Sequence, residues 1–287
     1  MLTAAQALRL DRRRRPRPST KQQYDEYILQ KIEAYKNSLS RDQLLLLGDE
    51  ANQELHAATE GQFVLTEILM LDSVDDLIKR RLKLKPYKKW KAWIKDLRDA
   101  QRAPTHWGLE PECPVAALVR RVEPQDEAVV VGGAADSAAF LLAAHEIPVT
   151  FLAGDLGSVD RVESRVEDES LAVPVIATVV DFELWCPPLP DVIAITVVDA
   201  GELGELDPVI RAGLISALQS RTCDAGVHVL LPGRGRMAPE ALLHHYDGWI
   251  REEAGKPRRR GARSAGIVLT RAPAEPTALR ANDAAVC

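Results

Sequence analysis

The chain has 287 residues, 46% of them apolar and 28% charged, with a formal net charge of −5. That is enough for two domains, or one large domain with an appendage, and the composition is that of an ordinary globular protein. No apolar run reaches the ~18–20 residues of a membrane-spanning helix, and the four scattered cysteines (Cys113, Cys186, Cys223, Cys287) form no CxxC, so a disulfide framework and a zinc site are not expected.

The opening segment MLTAAQALRLDRRRRPRPST places its arginines after its apolar stretch, the reverse of a secretory signal. With the cysteine usage, this sets the expectation of a reducing, cytoplasmic location and no membrane partner. Residues 1–19 read as a disordered basic arm carrying Arg12, Arg13, Arg14, Arg15 and Arg17, with Pro16 and Pro18 opposing a helix.

Residues 20–107 read as a helical domain. Tyr24, Tyr27, Ile28, Ile32 and Tyr35 recur at helical spacing. Ser40 followed by Gln43 has the form of a capping box. Phe63 to Leu71 suggest a third helix, Ser73 a cap for a short fourth through Leu82, and Pro86 the opening of a fifth carrying Tyr87, Trp90, Trp93, Ile94 and Leu97. Residues 1–107 hold 21 Lys+Arg against 15 Asp+Glu, whereas residues 108–287 hold 16 against 27. The Lys79–Lys95 run carries nine cations beside three aromatics, which makes it, with Arg12–Arg17, a candidate nucleic-acid surface. Spacing favours burial of its tryptophans.

From residue 108 the texture changes. AVVVG (128–132), VTFLA (149–153), VIATVV (175–180), DVIAITV (191–197), GVHVLL (226–231) and AGIVLT (265–270) are short continuous apolar runs. Between them lie the amphipathic stretches SAAFLLAAHE, SVDRVESRVEDE, DPVIRAGLISALQS and APEALLHHYDGWIREEA. Strands buried on both faces and alternating with helices predict a doubly wound parallel sheet over 108–273, followed by a tail at 274–287. At Gly132-Gly133 the first strand turns into a helix beginning near Asp136. Such a turn lets backbone approach a ligand at the carboxyl edge of the sheet.

On these residues the segment from about Glu112 to Pro273 resembles a class I S-adenosylmethionine-dependent methyltransferase domain, a Rossmann-like α/β fold. Gly132 matches the first glycine of that family's D/E-x-G-x-G-x-G turn, while Ala134 and Asp136 stand at the second and third, and Val130 at the preceding acid. Ala153 stands at the ribose-binding acid, with Asp155 two residues on; Asp181 and Phe182 match the adenine-contacting end of the third strand. DVIAITVVDAGEL, LLPGR and IVLTRAP resemble the later strands and their loops. The resemblance implies S-adenosylmethionine held by Gly132, Gly133, Asp136, Asp155, Asp181 and Phe182, with an unspecified methyl acceptor.

Asp199, just past the fourth strand, is the candidate base, with helix capping as its other reading. Cys186-Pro187-Pro188 precedes rather than follows that strand and reads as a rigid loop. His244-His245 face different directions on a helix and do not chelate one metal; His228, inside an apolar strand, reads as a hydrogen-bonded core residue. No hydrolase, protease, P-loop or deaminase motif is present. Two functions follow: a methyltransferase, or a catalytically degenerate methyltransferase-like scaffold whose basic helical domain binds nucleic acid or a protein.

Overall fold

The structure is a computed structural model that describes residues 18–58, 67–123, 126–171, 173–184, 188–233, 235–252 and 266–271. Arg12–Arg17, Phe63, Leu65, Cys186-Pro187 and the 274–287 tail lie outside the described residues. The chain divides into two compact units, residues 1–96 and 97–287.

The first unit contains α1 (Thr20–Ser38), α2 (Arg41–Ala58), α3 (Glu67–Arg81) and the start of α4 (Tyr87–Gln101). Capping boxes open the first two helices. The Gln22 amide donates to Ser19 Oγ at 3.2 Å and the Ser19 amide to Gln22 Oε1 at 2.6 Å; Ser40 and Gln43 repeat the exchange at 3.3 and 2.8 Å. Ile28, Ile32, Leu47, Ala51, Leu77 and Ile78 form the core. Trp90 is buried, with the Tyr24 and Tyr27 rings 5.3 and 5.9 Å from it. The separate third and fourth helices expected from the sequence are one continuous helix. Ser73 caps nothing; its hydroxyl donates to the Ala51 carbonyl at 3.2 Å, tying α3 to α2.

The second unit opens with a 3₁₀ turn at Pro104–Trp107 and α5 (Pro114–Leu118). Then follow β1 (Ala128–Val131), a 3₁₀ turn (Gly133–Ala135), α6 (Asp136–Ala144), β2 (Val149–Ala153), α7 (Leu156–Asp168), β3 (Val175–Val179) and β4 (Ile193–Asp199). α8 (Ala200–Glu205), α9 (Pro208–Arg221), β5 (Thr222–Leu231), a 3₁₀ segment (Pro239–His245), β6 (Trp249–Glu252) and β7 (Ile267–Arg271) complete it.

The seven strands run in the order β3-β2-β1-β4-β5-β7-β6. The first five in that order are parallel, and β7 lies antiparallel between β5 and β6. β1 is wholly buried. Its two-residue period sends Ala128 and Val130 into the core that holds α6, and Val129 and Val131 into the opposite core that holds Leu203 and Leu214. This is the doubly wound α/β architecture expected from the apolar runs.

Residues 238–252 depart from their expected helix, 253 and 254 lying outside the described residues. Gly248 takes φ +78°, and the chain turns there into the strand Trp249–Glu252. A glycine in the left-handed region ends a helix readily. Among the described residues no helix is long and apolar enough to cross a membrane.

Candidate functional site

Strand order reverses between β1 and β4: after β1 the chain winds outward through β2 and β3, then returns to β1's other side. Crevices of doubly wound sheets open at this point, outside the strands' carboxyl ends. Three segments meet there: the Gly132-Gly133-Ala134 turn after β1, the Gly154-Asp155 turn after β2, and the Asp199–Glu202 turn from β4 into α8.

Gly132 lies at φ +103°, and a Cβ on it would overlap Asp199. A side chain on Gly133 would overlap Ser158 of α7, and one on Gly233 would collide with the Asp199 carboxylate. These glycines let the chain's own segments pack closely. Each close approach is to protein.

The carboxylates divide the amides of these turns among themselves. Asp199 is buried and caps α8, accepting the Gly201 and Glu202 amides on Oδ1 at 2.8 and 3.3 Å. Its Oδ2 accepts the Ala134 amide at 3.2 Å, which ties the β1 turn to β4. Glu202, on α8, reaches across two strands: Oε2 accepts the Gly133 amide at 2.6 Å and Oε1 the Gly154 amide at 2.7 Å. Asp155 caps α7. Its carboxylate accepts the Ser158 amide at 2.8 Å and the Ser158 hydroxyl at 2.5 Å. The hydroxyl bond first, and the amide bond next, hold its carboxyl below the usual range. Arg161 closes the rim, donating to Ser158 Oγ at 2.9 Å and to the Gly157 carbonyl at 3.1 Å.

The cleft left between these groups holds about 240 Å³ and is lined by Gly133, Asp155, Arg161, Asp199, Glu202 and Glu205 among others. Small-molecule pockets usually span roughly 300–1,000 Å³. Four carboxylates against one guanidinium make the cleft acidic.

Of the residues singled out in the sequence, Gly133, Asp155 and Asp199 line this cleft, and Gly132 supports it from beneath. Phe182 is buried beside it, its ring 3.9 Å from where a Gly154 Cβ would stand. Asp136 lies elsewhere, in a second cleft of about 490 Å³ lined also by His106, Trp107, Phe140 and Arg165. Its Oδ1 accepts the Ser137 amide at 2.6 Å. Asp181 is exposed and accepts the Glu183 amide at 3.0 Å, closing a local turn. Glu202 escaped sequence reading. Its only local signal is the spacing Asp199-x-x-Glu202, the form of a capping box, and here the glutamate reaches outward instead of back to its own cap.

The resemblance implies S-adenosylmethionine, and the donor set accords with it. Strand-end amides suit its carboxylate and ribose oxygens, and carboxylates suit its ammonium and sulfonium charges. One side chain, Glu202, covers the amide pair.

No protein-family model matches the chain, and no curated protein matches it in sequence. Solved structures match part of the chain distantly. TehB from Haemophilus influenzae is 15% identical over 55% of this chain and 61% of its own, at a TM-score of 0.42. The N-methyltransferase NodS from Bradyrhizobium japonicum WM9 is 14% identical over 54% and 89%, also at 0.42. The glycopeptide N-methyltransferase MtfA, complexed with S-adenosyl-L-methionine, is 15% identical over 56% and 92%, at 0.39. This chain thus spans about three-fifths of TehB's length and 55% of that of the PH0226 protein from Pyrococcus horikoshii OT3. Likeness this distant assigns no residue a role. By its own strand order and switch point, the unit 97–287 is a Rossmann-like, doubly wound α/β domain with an antiparallel strand, β7, beside β5.

Proposed function

We propose that residues 97–287 form an S-adenosylmethionine-dependent methyltransferase domain with its cofactor cleft at the carboxyl ends of β1, β2 and β4. The observation that carries this is the meeting of the Gly133 and Gly154 amides with the Asp155, Asp199 and Glu202 carboxylates at the topological switch. When bound, S-adenosylmethionine supplies an activated methyl group. The chain's task is to hold it in line with an acceptor and to exclude water. In this reading Gly132 and Gly133 shape the floor, Asp155 and Phe182 flank the β2 side, and Asp199 fixes the β1 turn against β4. With three backbone amides on its carboxylate, Asp199 acts as a positioning residue.

Isothermal titration of the full chain with S-adenosylmethionine and its demethylated product tests the reading. Binding tighter than about a millimolar is expected; that affinity corresponds to roughly −4 kcal/mol. No heat from the wild-type chain or from a variant with Glu202 shortened to alanine would overturn it.

A second reading is favoured by a specific observation: the cleft is small and its amides are already taken. On this reading the domain is a non-catalytic scaffold, and the helical unit binds nucleic acid through Lys83, Lys88, Lys89, Lys91 and Lys95. All five are exposed, and none has an ion pair among the described residues. Retention on a nucleic-acid column that survives deletion of residues 1–19 supports the helical face; retention that vanishes implicates the Arg12–Arg17 arm alone.

A further inference from the structure

Glu202 differs from the other carboxylates around the cleft in one respect. Asp155 and Asp199 are helix caps that bind amides two or three residues ahead, Asp199 holding the distant Ala134 amide as well, whereas Glu202 caps no helix. Glu202 binds amides 69 and 48 residues away in the chain, at the ends of β1 and β2. Rotating its side chain out breaks no helix and no cap. It is only half-buried, so the carboxylate has water to move into. At Gly154 a Cβ would stand 3.3 Å from Oε1, so glycine leaves room for an oxygen to come close. Without Glu202, the amides of Gly133, which is buried and lines the cleft, and of Gly154, which is exposed at the end of the neighbouring strand, would be two donors without the acceptor they share. An unpaired buried amide demands an acceptor.

We propose that the Gly133 and Gly154 amides form a binding site for a ligand's acceptor oxygens, that Glu202 is its internal occupant, and that ligand enters by displacing the Glu202 carboxylate. The inference rests on the methyltransferase reading for its ligand. S-adenosylmethionine offers two sources of such oxygens, the carboxylate of its amino-acid end and the ribose hydroxyls. Glu202 thereby sets the apparent affinity: a ligand that binds only the open form is weakened by the fraction of molecules that are open.

The test is titration of the full-length wild-type, E202A, E202Q and E205A chains with S-adenosylhomocysteine, with hydrogen exchange of the 132–135 and 153–157 segments followed in parallel. E202A is expected to bind at least tenfold tighter than wild type. Its two segments are expected to exchange faster when free and to regain protection with ligand. E202Q, which keeps the shape of the side chain with one acceptor oxygen fewer, is expected to fall between, and it carries the comparison should E202A lose the wild-type melting profile. Glu205 shares the cleft, so an equal gain in E205A would show bulk charge to be responsible and would overturn the proposal. Wild type binding as tightly as, or more tightly than, E202A would overturn it while leaving the methyltransferase reading intact. Binding by none of the four chains would remove that reading, and the proposal with it. Adenosine and L-methionine, titrated separately, identify the source: the half-ligand whose affinity rises in E202A is the one that takes the amides.

Discussion

His228 stands in β5 with no exposed surface, in a polar chain whose direction follows from its partners. The Thr222 hydroxyl donates to the Leu218 carbonyl at 2.8 Å, which leaves its oxygen to accept from His228 Nε2 at 2.8 Å. Nδ1 is then the bare nitrogen and accepts the Tyr246 hydroxyl at 3.1 Å. Burial, with the Arg271 charge adding to it, pushes the imidazole down to about 3 from an ordinary 6.5. The unfolded chain therefore takes up a proton below pH 6.5 that the folded chain refuses. Stability is expected to fall as pH drops from about 6.5 toward 3, and thermal melts across that range are expected to flatten in His228→Gln. Gly132 offers a second test at this scale. With φ at +103° and Asp199 against it, Gly132→Ala combines backbone strain with a clash. A loss of about 2 kcal/mol or more in urea unfolding is expected.

Helices and strands show which features a sequence reveals. β1, β2, β4 and β5 were legible because strands buried on both faces must be continuous runs of valine, isoleucine and leucine. β6 was not. Trp249-Ile250-Arg251-Glu252 edges the sheet beside β7 alone, and its mixed polarity continues the helical pattern of the preceding residues until Gly248 breaks it. The cleft was half legible. The glycine pair and Asp155 announce themselves by their place after strands, whereas Glu202 acts through partners that only folding brings near. α8 depends on its cap: Asp199→Ala leaves three donating amides without their acceptor and is expected to cost about 1–3 kcal/mol in chemical denaturation. Asp199→Asn keeps an acceptor oxygen and is expected to retain most of that stability.

Over the whole molecule, two units with separate hydrophobic cores carry opposite charge excess. The basic one supplies the lysines of the second reading, and ionic strength weighs their part. If single-stranded nucleic acid binds them, changing Lys88, Lys91 and Lys95 together to alanine is expected to lower the slope of log affinity against log salt by about 2. An unchanged slope would exclude that face. The sheet's two margins also differ. At one, the Arg121 guanidinium grips Glu252 of β6 at 2.7 and 3.0 Å, placing charge over the outer rung. At the other, β3 shows Ile176 and Val179 to solvent at 42% and 40% exposure. Apolar side chains on an open margin invite a neighbour's backbone to extend the ladder. Self-association at high concentration should therefore begin at β3, and Ile176→Lys should delay the onset of light scattering without shifting the melting temperature.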